Sequence, residues 1–285
     1  MIRIGITLGD VAGIGPEIVA KALASRKLDS RGHYEVIGNA HTRCRAAAIR
    51  WIVDGARRCL RGELDALVTA PIGKHLLGEA GYEFHGQTEL LAHLARRKKF
   101  AMMLVGGPLR VALVTIHEPL SKVAGLITAR KIIEVAELSH DLCRRLGIAR
   151  PRIGVAGLNP HAGEGGLLGR EEQRIIGPAV RRAARKLPGV TGPWPADTLF
   201  HQAYHGQFDA VVAMYHDQGL APLKMIAFDA GVNLTLGLPF VRTSPDHGTA
   251  YDIAGRNRAR PDSLIAAINL AVRLAAGPRT ARRRV

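Results

Sequence analysis

Short apolar segments alternate with amphipathic segments along almost the entire chain, and this alternation constrains the fold more than any other feature. The apolar segments that predict strands are residues 2–8, 34–38, 66–69, 101–105, 110–115, 152–158 and 210–214. Between them, apolar residues recur at helical spacing, as at Ile132, Val135, Leu138 and Leu142. Strands that alternate with helices predict an α/β protein with a mostly parallel sheet.

Composition places the chain among globular proteins. Of its 285 residues, 47% are apolar, which argues against a disordered chain, and no apolar run reaches the ~18 residues of a membrane-spanning helix. The amino-terminal sequence MIRIGITLGD lacks the charged, apolar and cleavage regions of a signal peptide. Cys44, Cys59 and Cys143 are isolated from one another. We therefore expect a cytoplasmic protein without a thiolate metal site.

The net charge of +16 raises the alternative of a basic protein that binds nucleic acid. The Arg and Lys residues are scattered over helix faces and gathered in the tail at 279–284, and aromatic residues are only 5% of the chain, too few for base stacking. Nucleic acid is therefore the disfavoured partner. A steep salt dependence of DNA binding would reverse that judgement.

Three histidines share one sequence context. His117, His161 and His216 each stand at or just beyond the end of an apolar strand, in a loop that also holds Pro, Gly or an acidic residue. Because the ends of parallel strands meet at one edge of a sheet, the three imidazoles are expected to converge. Three neutral imidazoles suit Zn²⁺, Co²⁺ or Ni²⁺. Glu164 and Asp217 either orient these ligands or are ordinary turn residues.

Polar residues in apolar surroundings indicate a binding site. Lys224, Asn233 and Arg242 lie among apolar residues, Gly and Pro rather than in a solvated charge run, and Arg242 offers the planar fork that binds phosphate or carboxylate. Residues 86–88 form a polar turn whose Thr88 is a predicted helix N-cap and anion contact. The turn at 9–17 either cradles a phosphate or is only a tight strand-to-helix connection.

These motifs stand in the order found in one enzyme family. The segments that carry the resemblance are GDVAGIGPE, TAPIGK, GQTE, TIHEP, LNPHAGEGG, PADTLF, YHDQGL, GVNLTLGLPFVRTSPDHGTA and DIAGR. The chain resembles the 4-hydroxythreonine-4-phosphate dehydrogenase family over nearly its whole length. That family is similar in fold to the isocitrate and isopropylmalate dehydrogenases, which implies two α/β/α lobes around a cleft. The implied lobes are residues 1–115 with 245–285, and residues 116–244.

The resemblance also implies roles for particular residues. The metal ligands are His117, His161 and His216. The substrate contacts are Thr88, Lys224, Asn233 and Arg242, together with Gln87 at the phosphate end, and Lys224 is the expected catalytic residue. The dinucleotide segment contains His247, Gly248 and Asp252. The implied cofactors are NAD or NADP and a divalent metal (Zn²⁺, Co²⁺ or Mg²⁺), and the implied assembly is a homodimer with active sites at its interface.

The expected reaction oxidises the 3-hydroxyl of 4-phosphohydroxy-L-threonine and then decarboxylates the product to 3-amino-2-oxopropyl phosphate, a step in pyridoxal phosphate biosynthesis. Two features depart from the family pattern. Gln87 stands where the family has a histidine, and a substantial segment is absent around residues 42–55. Gln87 keeps open the oxidation of 4-phospho-D-threonate, 4-phospho-D-erythronate or a dihydrodiol carboxylate.

Overall fold

The computed structural model describes residues 1–42, 44–84 and 86–277, so the basic tail at 279–284 lies outside the described residues. The chain folds into two compact units, Met1–Lys98 with Asp229–Val285, and Lys99–Phe228. Each unit contains a mainly parallel sheet with helices packed against it. The mixed α/β architecture expected from the alternating pattern is confirmed.

The first unit is a five-stranded sheet in the order β2-β1-β3-β10-β9. Its strands are β1 (Ile2–Thr7), β2 (Gly32–Ile37), β3 (Ala66–Thr69), β9 (Val232–Leu236) and β10 (Val241–Pro245). Its helices are α1 (Gly15–Leu23), α2 (Ala47–Arg61), α3 (His75–Glu79), α4 (Gln87–Leu94) and α10 (Asp262–Ala276). All strand pairs are parallel except β9 with β10.

Alternation along the strands places helices on both faces of this sheet. Leu67 of β3 lies so close to Gly55 of α2 that a methyl group added at Gly55 would clash with it. Thr243 of β10, in register with Val68, points to the other face, where its hydroxyl donates to Ala267 O of α10 at 2.8 Å. Successive strand residues face opposite ways, so both faces of β3 and β10 are buried. This burial explains the nearly continuous apolar sequence of β3.

The second unit is a sheet in the order β4-β5-β8-β6-β7. Its strands are β4 (Ala101–Gly106), β5 (Leu109–Leu113), β6 (Ile153–Ala156), β7 (Val190–Trp194) and β8 (Ala210–Ala213). Its helices are α5 (Leu120–Leu126), α6 (Ala129–Arg145), α7 (Gly177–Ala184), α8 (Ala196–Tyr204) and α9 (His216–Ala227). One apolar core joins α8 and α9 to the strands through residues such as Leu113, Leu199 and Leu223.

The borders of the two units differ from the lobes proposed from the sequence. The division falls between Lys98 and Lys99 and between Phe228 and Asp229, rather than after 115 and after 244. The antiparallel pair of β4 with β5 explains the first border, because β5 also pairs with β8 and both β4 and β5 pack on α9. The pair of β9 with β10 explains the second, because β10 lies next to β3. Within the described ranges, no helix is both long and apolar enough to cross a membrane.

Candidate active site

A buried cation lies in the first unit among neutral side chains. Arg242 on β10 is only 3% exposed. Its guanidinium donates to Thr69 Oγ1 at 2.7 Å, Thr235 Oγ1 at 3.0 Å and Gln87 Oε1 at 3.0 Å. Thr69 ends the neighbouring strand β3 and Thr235 lies on β9, so the sheet itself positions these acceptors. We call the group Thr69, Gln87, Thr88, Thr235 and Arg242 the anion pocket.

The electrostatics of the anion pocket favour an incoming anion. Burial lowers the pKa of Arg242 to about 10, and the charge of Glu89 acts in the opposite direction. The group therefore remains protonated at neutral pH, although all three side chains that accept its hydrogen bonds are neutral. A buried charge without an opposite charge at hydrogen-bonding distance is costly, by several kcal/mol. A phosphate or carboxylate would offset that cost and match the planar fork.

Thr88 and Gln87 open α4 beside Arg242. The prediction that Thr88 caps this helix is wrong, because the helix begins at Gln87 and Gly86 takes the cap position in an extended conformation. The Thr88 hydroxyl instead points into the pocket, 3.5 Å from Thr235 Oγ1, and the side chain is buried. The first backbone N–H groups of a helix are suited to an anion.

Gln87 bridges two parts of the pocket with its carboxamide. Its oxygen accepts from Arg242, and its Nε2 donates to Ala70 O at 3.3 Å. These two contacts fix which way the amide faces. Gln87, which departs from the family pattern, is thus a neutral partner of the buried Arg242 guanidinium.

Asn233 lies on β9 opposite Ser244 of β10. Its Oδ1 is buried and, among the described residues, accepts no hydrogen bond. A buried acceptor left in this state costs ~1–3 kcal/mol. Such an atom is suited to a ligand that carries a hydroxyl or an ammonium group.

In the second unit, two of the predicted metal ligands lie side by side. Leu113 of β5 is in register with Ala213 of β8, and the chain continues from these strands to His117 and His216. The two imidazole rings are 5.5 Å apart between centroids and tilted by 39°. His216 Nδ1 lies 2.6 Å from Asp217 Oδ1. A carboxylate at Nδ1 fixes the tautomer and leaves Nε2 for a metal.

His161 is carried by an unusual backbone segment. Residues 161–165 all have positive φ, including His161 at 52° and Glu164 at 43°, so this turn is left-handed although three of its residues are not glycine. Such conformations cost ~1–3 kcal/mol for a non-glycine residue and are concentrated at functional sites. The His161 ring is exposed, with Nδ1 3.7 Å from Glu164 Oε2.

The carboxylate of Glu172 anchors this left-handed turn. It accepts from the backbone N–H groups of Leu158 and Asn159 at 2.7 and 2.8 Å and from Asn159 Nδ2 at 3.0 Å. Glu172 is buried and begins a single π-helical turn, Glu172–Ile176, that leads into α7. The helix α7 is therefore preceded by a widened turn, and π turns are frequent at functional sites.

Gln218 connects the loops of His161 and His216. Its Oε1 accepts from Met214 N at 2.7 Å and its Nε2 donates to Gly157 O at 2.7 Å. Both bonds lie at the ends of neighbouring strands, β8 and β6. We call the segments that carry His117, His161 and His216 the histidine loops.

The donor atoms of the histidine loops suit a divalent metal, but the described residues of one chain do not bring all three predicted histidine ligands together. Over the part of the chain that the structure describes, no group of three His, Cys, Asp or Glu side chains is arranged to hold one ion. His117 and His216 form a pair with suitable chemistry, while His161 is not grouped with them. The predicted ligation by all three stays a prediction.

Lys224 lies on α9, two turns after His216. It is half-buried, and its ammonium is 5.9 Å from the centroid of the Phe228 ring. The predicted role in proton transfer is compatible with this position and stays a prediction.

The predicted dinucleotide segment is exposed, but hydrogen bonds hold the chain on both sides of it. His247, Gly248 and Asp252 are exposed, and His247 Nδ1 lies 3.1 Å from Gly248 O. On one side, Thr249 O accepts from Ile14 N at 2.9 Å. On the other, Lys21 donates to Asn257 O and Ala259 O at 3.0 and 2.8 Å.

Comparison with known proteins establishes the family. A family model described as pyridoxal phosphate biosynthetic protein PdxA matches residues 14–271. The chain belongs to the PdxA family. This confirms the resemblance read from the motifs and the prediction that the chain is a dehydrogenase.

The PdxA assignment agrees with individual relatives. The chain is 44% identical to a 4-hydroxythreonine-4-phosphate dehydrogenase of Geobacter metallireducens, over 96% of this chain and 95% of the relative. A crystal structure of 4-hydroxythreonine-4-phosphate dehydrogenase from Klebsiella pneumoniae has a TM-score of 0.86 and 38% identity, and covers 96% of this chain and 100% of that one. The Geobacter alignment spans 323 positions, more than the 285 residues here, so the relative has internal residues that this PdxA family member lacks.

A more distant structure shows the fold alone. The β-decarboxylating dehydrogenase of Thermococcus kodakarensis has a TM-score of 0.58 at 16% identity, with 96% of this chain and 83% of that chain covered. The predicted likeness of the PdxA fold to the isocitrate and isopropylmalate dehydrogenases is thereby confirmed.

Several residues that shape this PdxA site were not predicted from the sequence. They are Thr69, Glu172, Gln218 and Thr235, together with Asp10, Arg45 and Tyr251, which are described below. Thr69 and Thr235 are ordinary strand residues in sequence, so only the pairing of β3, β10 and β9 reveals that they meet Arg242. Gln218 lies inside the YHDQG motif, and its position in that motif was the one sequence signal that could have identified it.

Proposed function

We propose that the chain oxidises the 3-hydroxyl of 4-phosphohydroxy-L-threonine with NAD⁺ or NADP⁺, and that loss of carbon dioxide then gives 3-amino-2-oxopropyl phosphate. The observation that carries the proposal is Arg242, a buried guanidinium whose hydrogen-bond acceptors in the anion pocket are all neutral. The names of the Geobacter and Klebsiella relatives support the same substrate. The reaction belongs to pyridoxal phosphate biosynthesis, in agreement with the family description.

The anion pocket binds the phosphate in this proposal. Arg242 supplies its positive charge, and the N-terminus of α4 supplies backbone N–H groups and the Thr88 hydroxyl. The Gln87 carboxamide keeps the guanidinium oriented toward the anion. Asn233 Oδ1 accepts a hydrogen bond from a hydroxyl or ammonium group of the substrate, which satisfies the buried acceptor.

His117, His161 and His216 would hold a divalent metal ion, and Zn²⁺, Co²⁺ and Mg²⁺ are the candidates. When bound, the metal polarises the substrate hydroxyl oxygen and the oxidised nicotinamide accepts the hydride that leaves C3. Asp217 keeps the His216 ring oriented through Nδ1. Glu172 holds the turn that presents His161.

Lys224 takes the hydroxyl proton in this scheme. As the C3–O bond becomes a carbonyl, the O–H proton must leave, and the Lys224 side chain is the proposed acceptor. The product is a β-keto acid, from which the C1–C2 bond breaks to release carbon dioxide and C2 gains a proton. The dinucleotide segment with His247, Gly248 and Asp252 positions the cofactor, and the Asp252 carboxylate is suited to ribose hydroxyls.

The proposal includes a homodimer with shared active sites. Each histidine loop is followed by exposed apolar side chains: Leu120 after His117, Leu167 after His161, and Met225 and Phe228 after His216. Clusters of exposed apolar residues mark interaction surfaces, and a two-fold dimer brings the same surface of two chains together. A second chain would cover these residues and supply the ligand that one chain lacks.

The test is an assay of NADH or NADPH formation with purified protein and a matched set of substrates. 4-Phosphohydroxy-L-threonine should be oxidised at least ~100-fold more efficiently than unphosphorylated 4-hydroxy-L-threonine, since charge-assisted phosphate contacts contribute ~1.5–3 kcal/mol each. Equal rates for the two would contradict the proposal.

The same assay separates the alternatives. 4-Phospho-D-threonate, 4-phospho-D-erythronate and a dihydrodiol carboxylate are tested beside the main substrate, and a higher kcat/KM for any of them would replace it. Comparison of NAD⁺ with NADP⁺ identifies the dinucleotide. The cytoplasmic location expected from the sequence stays a prediction, which fractionation of cells that produce the protein would test.

A further inference from the structure

Arg45 lies in the short connection 38–46 between β2 and α2. Its guanidinium makes a two-point contact with one carboxylate: Nε donates to Asp10 Oδ1 at 3.1 Å and Nη2 donates to Asp10 Oδ2 at 2.6 Å. Nη2 also donates to the hydroxyl oxygen of Tyr251 at 2.9 Å. One side chain thus connects three segments that are far apart in sequence.

Asp10 is fixed from several directions. Its side chain is completely buried, and besides Arg45 it accepts from Ala12 N at 3.0 Å. Its own backbone N–H donates to Pro71 O at 2.9 Å, in the TAPIGK loop. Burial raises the pKa of Asp10, but hydrogen bonds from Arg45 and Tyr251 outweigh this effect and hold the pKa below its ordinary value.

Tyr251 belongs to the predicted dinucleotide segment. Its hydroxyl donates to Asp10 Oδ2 at 2.6 Å, and the Arg45 guanidinium lies 5.2 Å from the centroid of its ring. Two residues earlier, Thr249 O accepts from Ile14 N, and Gly13 packs so closely that a methyl group there would lie 2.8 Å from Thr249 O. The loops 9–14 and 249–251 therefore run in direct contact, with Arg45 across them.

We propose that Arg45 is a positioning residue that fastens the 249–251 loop to the 9–14 loop through Asp10 and Tyr251, and so holds the dinucleotide segment in its binding shape. This inference rests on the proposed function, because it takes the segment around His247 to Asp252 as the site of NAD(P). A loop that is already ordered loses less conformational entropy when its ligand binds. Arg45 therefore acts on dinucleotide affinity rather than on the chemical step.

The position of Arg45 suggests why this chain uses it. The Geobacter relative has internal residues that this chain lacks, and the sequence motifs place the missing segment around residues 42–55. Arg45 lies in that region, at the start of the shortened first unit.

The experiment measures dissociation constants for NADH and NADPH by fluorescence titration, together with steady-state kinetics. We expect Arg45→Ala to raise the Kd of the preferred dinucleotide ~10-fold, while kcat and the KM of the phosphorylated substrate change less than ~2-fold. Arg45→Lys retains the charge but not the two-point contact, and should give an intermediate Kd. Arg57→Ala is the matched control, because Arg57 is an exposed residue of α2 and its loss should leave Kd unchanged.

Tyr251→Phe gives an independent measurement through the other side of the cluster. It should raise the Kd less than Arg45→Ala does, and the double variant should fall short of the sum of the two effects, because both substitutions disturb one network. Amide hydrogen exchange at residues 249–256 should accelerate in Arg45→Ala. If Arg45→Ala does not fold, Arg45→Lys and Tyr251→Phe carry the same test.

The possible failures are distinguishable. If the wild-type protein binds neither NADH nor NADPH, the proposed function fails and the role of Arg45 fails with it. If the wild type binds a dinucleotide and the Arg45 and Tyr251 variants bind it equally well with unchanged amide exchange, only the inference about Arg45 is overturned.

Discussion

The anion pocket and the histidine loops are built in opposite ways. In the anion pocket, Arg242 is buried and held by side chains from β3, β9 and α4 of the same unit. In the histidine loops, His117 and His161 are exposed, and the His161 turn has a left-handed backbone. The anion pocket is thus built within the first unit, whereas among the described residues of the histidine loops no three ligands are arranged to hold one ion.

This difference indicates that the anion pocket is preorganised and that the histidine loops are assembled on binding. Buried hydrogen bonds on sheet strands fix the anion pocket before any ligand arrives. The histidine loops have suitable ligands and carboxylate neighbours, and in the proposal a metal ion and a further ligand complete them. We therefore expect substitutions in the anion pocket to alter substrate affinity, and substitutions in the histidine loops to alter metal content.

The largest effect should follow removal of the metal. Incubation with a chelator, or the substitution His216→Ala, should lower kcat by more than ~1000-fold, because the polarisation of the hydroxyl would be lost. Metal analysis should show stoichiometric metal in the wild type and almost none in the variant. His201→Ala, which removes an exposed histidine of α8, is the control, and full turnover in excess chelator would contradict the account.

Arg242→Met should have the next largest effect. We expect kcat/KM for the phosphorylated substrate to fall ~100–1000-fold, because the buried positive charge that attracts the anion disappears. The melting temperature should be retained or raised, since replacing a buried charge by an apolar group of similar size is often neutral or stabilising. A large loss of stability without a change in KM would instead make Arg242 a structural residue.

Glu172→Gln tests the support of the His161 turn. The carboxamide of glutamine replaces one acceptor oxygen with a donor. The hydrogen bonds from Leu158 N, Asn159 N and Asn159 Nδ2 therefore cannot all form. Metal affinity should fall ~10–100-fold, as is typical for residues that orient a ligand, and it is measured by titration with a chelating indicator. Glu171→Gln is the control, because Glu171 accepts only from Asn159 Nδ2 in this network and should show a smaller loss.

Gln87→His should introduce a pH dependence into the anion pocket. An imidazole with an ordinary pKa of ~6.5 gains its charge as the pH falls, and the charged form attracts phosphate. The ratio of variant to wild-type KM should therefore decrease ~3–10-fold between pH 8 and pH 6, and taking the ratio removes the titration of the phosphate itself. Gln207→His at an exposed position should show no such change.

The smallest expected effect concerns the cysteines, and it tests whether the two units are equally well packed outside the site. Burial raises the pKa of Cys59 in the first unit to about 12 and that of Cys143 in the second to about 11. Cys44 is exposed, and a hydrogen bond from Arg50 lowers its pKa. A thiol reagent at pH 8 should modify Cys44 quickly and the other two only on unfolding, as mass spectrometry would show. Rapid labelling of Cys143 alone would mean that the second unit is loosely packed as a whole.

Sequence patterns predicted the fold and singled out polar side chains that the structure brings close together, because both depend on local signals. Strand periodicity located β3 at its exact bounds, and strand ends identified His117 and His216, whose rings the structure brings within 5.5 Å. Arg242 was recognisable as a charge in an apolar segment.

The supporting residues could not be predicted, because their roles arise from packing between distant segments. Thr69 and Thr235 reach Arg242 only through strand pairing, and Arg45 reaches Asp10 and Tyr251 only through the folded loops. The cap position of α4 was missed because Gly86, in an extended conformation, takes it instead of Thr88. The left-handed turn at His161 follows from a buried Glu172 beyond the motif that the sequence highlights.

The central claim is that the histidine ligands of one metal come from two chains, and a mixing experiment tests it most directly. His117→Ala and His161→Ala are each expected to be inactive alone. If the ligands are shared, mixed dimers contain one intact site, and random exchange of subunits should restore about a quarter of wild-type activity. If the mixture stays as inactive as its components after exchange has been verified, each chain must build its own metal site and the account is contradicted.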